Sequence, residues 1–213
     1  MPFWIKMPIV PLISLLSLYF SFMLNWRVTL HFYEITFGFQ PIDVDFAISF
    51  PVILVAALNC LFILFSFRYL IKPISVTLIL LSSAVSYAMI KYNIPFDGTF
   101  AQRFFETNMA DLITYIDLPM LGWIIISGAI PSLFFISVEI EYSDSWLTGF
   151  MQRITSISVS LILISSIIGL YYEDYEYVYK HYPTLQQEIV PLNIIDSAIK
   201  YIYARHLPAY KKN

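Results

Sequence analysis

Charge is scarce in this chain, and where it is missing is informative. Only 13% of the 213 residues are Asp, Glu, Lys or Arg. Five stretches hold none of these and no His: 7–26, 46–67, 73–90, 118–138 and 154–172. Each runs 18 to 22 residues, near the ~20 that a helix needs to cross ~30 Å of hydrocarbon. With 59% hydrophobic residues, one soluble core of this size is excluded. Ten-residue alternation is absent, which excludes a membrane β-barrel. No ionisable residue falls at the centre of a span, which argues against a proton-coupled transporter or a voltage sensor. A net charge of −3 points to no nucleic-acid partner. The single cysteine, Cys60, forms no intrachain disulfide. His31, His181 and His206 lack metal-ligand spacing and read as unrelated interfacial residues. No Gly-rich phosphate loop and no Ser–His–Asp or Cys–His arrangement is present. Glu173, Asp174 and Glu176 read as a solvated acidic rim.

What is there is an all-α integral membrane bundle of five transmembrane helices with interfacial helices on the outer side. The first span carries one Lys6 and no small-residue cleavage site, so it reads as a retained helix rather than a signal peptide. With the N-terminus cytoplasmic, Lys6, Arg68, Lys72 and Arg153 fall inside, and Arg27, Lys91, Arg103 and Lys180 outside. The counts tie, but the inside segments are far shorter and denser in positive charge, "FRYLIKP" (67–73) being a compact basic hairpin, which favours N-inside and C-outside. The outer segment 27–45 is expected to hold an interfacial helix and a turn at Pro41. The tail from Glu173 opens with "YYEDYEYVYKHY", a tyrosine-rich collar for the membrane interface. In "PLNIIDSAIKYIYARH", Asn193 is expected to cap a helix with Ile195, Ile199 and Ile202 on its apolar face, and Pro208 to end it. Residues 1–172 are thus the membrane domain and 173–213 an interfacial helix and linker. Serines and asparagines within the spans fit helix–helix packing.

The segment "FDGTFAQRFFETNMAD" (96–111) is the polar exception. At 100° per residue, Thr99, Arg103, Thr107 and Asp111 form one stripe, with Glu106 beside it and Phe105, Met109 and Leu112 opposite. Two readings fit this amphipathic pattern. The stripe is either a solvated face with local ion pairs, or the binding surface for a zwitterionic lipid head group, with donors for phosphate and a carboxylate for ammonium.

Four segments carry a resemblance over essentially the whole chain: residues 66–108, "FMLNWRVTLHFYEI" (22–35), "FISVEIEY" (135–142) and "LQQEIVPLNIIDSAIKYIY" (185–203). Together they resemble the membrane domain of the lipid A phosphoethanolamine transferases, including the mobile colistin-resistance enzymes. The resemblance implies a multi-pass protein of the bacterial inner membrane, whose five spans are followed by a periplasmic helix, a linker and a zinc-dependent hydrolase-like domain. A threonine nucleophile there takes phosphoethanolamine from phosphatidylethanolamine and passes it to lipid A, lowering the negative charge that polymyxins bind. The chain is expected to lack that catalytic domain, its nucleophile and its zinc, to hold no metal or cofactor of its own, and to be inactive alone. Its expected partners are phosphatidylethanolamine and other membrane lipids, lipid A as acceptor for the parent enzyme, and its own missing periplasmic domain. The family's head-group positions map onto Arg103, Thr107 and Asp111. Thr107 matches, Asp111 keeps the carboxylate on a shorter arm than the usual Glu, and Arg103 stands where Asn is usual. Val190 likewise replaces the Asn often seen before Pro191. The alternative is a stand-alone membrane scaffold or lipid-binding subunit without enzymatic activity.

Overall fold

The first charge-free stretch does not open as a helix. In the computed structural model, which describes residues 5–38, 43–92, 117–143 and 145–206, Lys6–Pro8 forms a short strand, β1. It pairs in parallel with β2, Glu139–Glu141. Lys6 Nζ lies 3.5 Å from Glu139 Oε2, and the Glu139 amide donates to the Ile5 carbonyl at 2.9 Å. These strands were not visible in the charge pattern, because three residues are too few for an alternation to register.

Helix α1 follows over Ile9–Leu24, its last turn widened into a π-helix at Phe20–Leu24. The chain bends by 63° at Asn25 into α2, Trp26–Phe37, which occupies the region expected to hold an interfacial helix. The turn expected at Pro41 lies outside the described residues. Next come α3, Val44–Leu64, and α4, Ile71–Tyr92. Asp43 caps α3 by accepting the Phe46 amide at 2.9 Å, satisfying a donor that a helix start leaves open. Beyond lie α5, Leu118–Ser137, α6, Trp146–Leu170, and α7, Tyr172–His181. A 3-10 turn at Pro183–Glu188 leads to α8, Leu192–His206. Helices α3 to α6 are each long and apolar enough to cross a membrane, and the bent pair α1–α2 passes the same test together. The chain is an all-α membrane bundle.

Packing follows from the apolar sequence. Helix α3 lies against α6 and α1, and α4 against α5. Phe20 and Phe62 join α1 to α3 with ring centroids 4.9 Å apart. Helix α6 buries only Ser160 and leaves Val159, Leu161 and Ile162 exposed, the pattern expected of a surface that lipid covers. The α4–α5 seam is built from small polar residues instead. Pro131 lacks an N–H and so withholds the usual helical donor from the Ser127 carbonyl. The Tyr19 hydroxyl donates to that carbonyl instead. The helix widens into a π-turn at Ile125–Ala129 around the same point, a common adjustment where the ladder is interrupted. Ser83 and Ser127 hydroxyls meet at 2.7 Å, and Gly128 lets the backbones approach. A Cβ on Gly128 would sit 3.2 Å from Ser83 Oγ and 3.3 Å from Leu80 Cδ2. Gly128→Ala is therefore expected to destabilise the bundle by about 1 kcal/mol, read as a lowered unfolding midpoint in detergent. An unchanged midpoint would show that the seam relaxes without cost.

The two ends of the bundle differ. At the end carrying β1 and β2 sit all four cations that the sequence groups together. Besides Lys6, Lys72 Nζ donates to the Ile136 carbonyl at 2.8 Å, Arg153 donates to the Ser66 carbonyl at 2.9 Å, and the Arg68 guanidinium lies 5.4 Å from the centre of the Tyr142 ring. The opposite end gathers Asn25, α2, the close of α4, the start of α5 and the whole tail from Tyr171.

Candidate functional site

Asn25 organises this second end. It stands where the π-turn of α1 gives way to α2, and it is buried. Its Nδ2 donates to the carbonyls of Phe20 at 3.0 Å and Val190 at 2.8 Å, while its Oδ1 accepts the Val190 amide at 2.9 Å. An amide side chain is suited to this, because it offers donor and acceptor side by side to one peptide backbone. The tail is thereby fastened to the first span across 165 positions of sequence. Thr29 Oγ donates to the Asn25 carbonyl at 3.1 Å.

The turn just before Val190 carries a buried acid. Glu188 is only 5% exposed. Its Oε1 lies 2.8 Å from Nδ1 of His31 on α2, whose side chain is 24% exposed. Its Oε2 has no hydrogen-bond partner among the described residues. The structure corrects the reading of His31 as an unrelated interfacial histidine: its Nδ1 is hydrogen-bonded to Glu188 Oε1, 157 positions away in sequence. Asn193 is corrected too. Helix α8 begins at Leu192, so Asn193 lies within its first turn rather than capping it. Its Nδ2 donates to the Gln187 carbonyl at 3.0 Å and lies 3.7 Å from Met89 Sδ on α4, and its Oδ1 is without a partner among the described residues.

A second cluster sits where α4 ends and α5 begins. Asp117 accepts the Met120 amide at 2.9 Å, capping α5, and also accepts the Tyr87 hydroxyl at 2.9 Å and Lys91 Nζ at 2.6 Å. The Lys91 ammonium, together with the Met120 amide, holds the Asp117 carboxyl down at about 2. This clasp joins the two helix ends between which the 96–111 stripe is inserted. Arg103, Thr107 and Asp111, the sequence-derived head-group residues, lie outside the described residues.

The tyrosine collar divides by direction. Tyr172, Tyr177 and Tyr179 are exposed, as an interfacial collar requires. Tyr171 and Tyr175 instead turn onto Phe46, at 5.5 and 4.9 Å between ring centres. The Tyr175 hydroxyl meets Ser49 Oγ at 2.6 Å, and burial pushes its pKa up to about 12. Acidic Glu173 and Asp174 in the first turn of α7 and basic Lys180 and His181 in its last suit the helix dipole.

Asn25, His31, Glu188 and Asn193 were missed as a group because each looks ordinary alone. The only available signal was that Asn25 and His31 share one of the family-like segments and Glu188 and Asn193 share another. Among the described residues no group of three or more His, Cys, Asp or Glu can hold a metal ion, so no step through zinc is assigned to them.

Comparison with known proteins adds to this geometry. The family model described as phosphoethanolamine transferase EptA/EptB matches residues 54–206. The chain is 27% identical over 201 residues to phosphatidylethanolamine transferase Mcr-2 of Escherichia coli, covering 92% of this chain and 36% of that protein. It is also 27% identical over 195 residues to phosphoethanolamine transferase EptA of Escherichia coli K12, covering 90% and 36%. Among solved structures it is similar to the integral membrane lipooligosaccharide phosphoethanolamine transferase A of Neisseria meningitidis. There the TM-score is 0.88 at 26% identity, covering 94% of this chain and 37% of that one. The chain thus spans about 36% of the length of the curated relatives it matches.

Proposed function

Because this chain belongs to the EptA/EptB phosphoethanolamine transferase family, we propose that it anchors such an enzyme in the bacterial inner membrane and presents phosphatidylethanolamine at the Asn25 end of the bundle. Phosphoethanolamine then passes to lipid A, the modification that lowers polymyxin binding. The reaction itself, with its threonine nucleophile and zinc, belongs in this proposal to a domain that follows the matched region. The basic end faces the cytoplasm, in keeping with the positive-inside rule, and the Asn25 end faces the periplasm. The observation that carries the proposal is the Tyr87–Lys91–Asp117 clasp. It holds together the two ends of the segment bearing Arg103, Thr107 and Asp111, the residues whose chemistry suits a phosphate and an ammonium.

The test is a chimera in which this chain replaces the matched part of Escherichia coli Mcr-2, with lipid A from the host read by mass spectrometry. Thr107→Ala or Asp111→Ala is expected to lower phosphoethanolamine addition roughly tenfold, the scale of one hydrogen bond to a charged group at about 1.5 kcal/mol. Unchanged addition at equal protein level would remove the head-group role. Arg103→Asn decides the departure from the family pattern. A gain would show that Arg103 obstructs the site, and a loss that it grips the phosphate, which a guanidinium can do bidentately. A chimera that never modifies lipid A, though it folds and inserts, would favour the scaffold alternative.

A further inference from the structure

One stretch of chain ties the basic end of the bundle together. Residues 136–142 leave α5, form β2 and meet three cations in turn. Lys72 Nζ donates to the Ile136 carbonyl at 2.8 Å, Lys6 Nζ lies 3.5 Å from Glu139 Oε2, and the Arg68 guanidinium lies 5.4 Å from the centre of the Tyr142 ring. The Tyr142 hydroxyl donates to the Arg68 carbonyl at 3.1 Å. Arg153 reaches in from α6 and donates to the Ser66 carbonyl, two residues before Arg68. Among the described residues only Lys6 of these four has a carboxylate at ion-pair distance. Lys72, Arg68 and Arg153 are held by carbonyls and a ring, and Arg153 Nε is buried without an acceptor among the described residues. Four cations thus face two carboxylates on β2, Glu139 and Glu141, while Asp144 lies outside the described residues.

A cavity of about 300 Å³ opens at this end, lined by Lys72, Ser137, Val138 and Glu139. An ammonium has three N–H donors, and Lys72 spends one on Ile136, so two remain for a ligand. Ser137 gives its proton to the Phe134 carbonyl at 2.8 Å and keeps its lone pairs. The 3.5 Å approach of Lys6 to Glu139 is too long for a strong hydrogen bond, so that carboxylate still accepts. The cavity therefore offers a cationic donor beside two acceptors. A metal ion lacks ligands, since no group of three His, Cys, Asp or Glu forms among the described residues. An anion that also carries hydroxyl donors fits both halves: a phosphodiester on Lys72 and a glycerol head on Glu139 and Ser137. A zwitterionic head group brings no net charge to the cations that lack a counter-charge. The ligand is a lipid rather than a free anion because Leu133, Phe134 and Ile136, next to the cavity on α5, are exposed and give acyl chains an apolar surface. Basic pockets between membrane helices hold anionic lipids in this way. We infer that this cavity binds an anionic phospholipid with a glycerol head group, in the leaflet that meets the basic end. The site is separate from the segment bearing Arg103, Thr107 and Asp111 and does not depend on its role.

The experiment uses the full chain in nanodiscs of equal parts phosphatidylglycerol and phosphatidylcholine with matched acyl chains, and counts retained lipids by native mass spectrometry. The wild type is expected to retain phosphatidylglycerol over phosphatidylcholine by roughly tenfold, the scale of one hydrogen bond between charged groups. In Lys72→Gln the preference is expected to vanish, while Lys180→Gln, at the opposite end, keeps it. Equal retention by the wild type, an undiminished preference in Lys72→Gln, or an equal loss in Lys180→Gln overturns the proposal. Inorganic phosphate and glycerol phosphate are then added to the wild type. Retention that withstands both supports a lipid site, and release by either one marks a site for a free anion and overturns it. If Lys72→Gln does not fold, a phosphatidylglycerol with a photoreactive head group decides on the wild type. Crosslinks at Lys72 or within 136–142 support the site, and crosslinks confined to the Asn25 end overturn it.

Discussion

Asn25→Ala is expected to lower the stability of the chain by about 4 kcal/mol, the largest single effect among its polar residues. The truncation removes the bonds to Val190 and one to Phe20. More important, it leaves the Val190 N–H and C=O buried without partners, at ~1–3 kcal/mol each. Phe20 is less affected, since its carbonyl also accepts the Asn25 backbone amide at 2.9 Å. In a chain of this size the loss corresponds to a fall of about 10 °C in the unfolding midpoint, measured by intrinsic fluorescence in detergent. Hydrogen exchange at the Val190 amide should accelerate in step. Asn25→Asp separates the two halves of the interaction. Aspartate keeps the acceptor for the Val190 amide but, when ionised, turns an oxygen toward two carbonyls that need a donor, so it is expected to be at least as damaging. Slow exchange at Val190 in either variant would mean that the tail is held by its apolar contacts and that Asn25 is incidental.

Asp117→Ala is expected to have the largest effect on function. One carboxylate caps α5, accepts from Tyr87 and pairs with Lys91, and no other group among the described residues makes all three contacts. Spin labels at Tyr92 and Leu118, both exposed, are expected to give a narrow distance distribution in the parent and a broad one in the variant. In the Mcr-2 chimera, lipid A modification is expected to fall by roughly a hundredfold, because a ~1 Å misplacement of positioning residues costs about that much. Asp117→Asn should fall between the two, since it keeps acceptors for Tyr87 and the Met120 amide and loses the charge that holds Lys91. The sign of the pH effect follows from the lowered carboxyl. With Asp117 near 2 in the folded chain and about 4 when unfolded, the clasp contributes fully above pH ~4. Its contribution is lost as pH falls from there toward 2. A label distance unchanged in Asp117→Ala, or a clasp that persists with Asp117 protonated, would show that the helix ends are held by other means.

How much of this was legible beforehand varied with the range of the interaction. The spans could be read because the bilayer acts on each segment separately: a run of ~20 residues without charge is a helix in lipid whatever its neighbours are. The gathering of Lys6, Arg68, Lys72 and Arg153 at one end follows from the same alternation of spans. The segments 22–35 and 185–203 were recognisable as family-like, yet nothing local announced that Asn25 in one would grip the Val190 backbone in the other.

The sequence by itself thus determined the solvent, the all-helical membrane architecture and the family. The tertiary structure decided which polar residues act together. The 63° bend after α1 carries His31 to Glu188. The missing N–H of Pro131 leaves the Ser127 carbonyl to Tyr19, 108 positions away. The start of α8 at Leu192 turns Asn193 from a cap into a buried amide. The physical reason is common to all three. A hydrophobic run is stabilised by its own composition, whereas a hydrogen bond depends on an angle and a distance that only the packed helices supply.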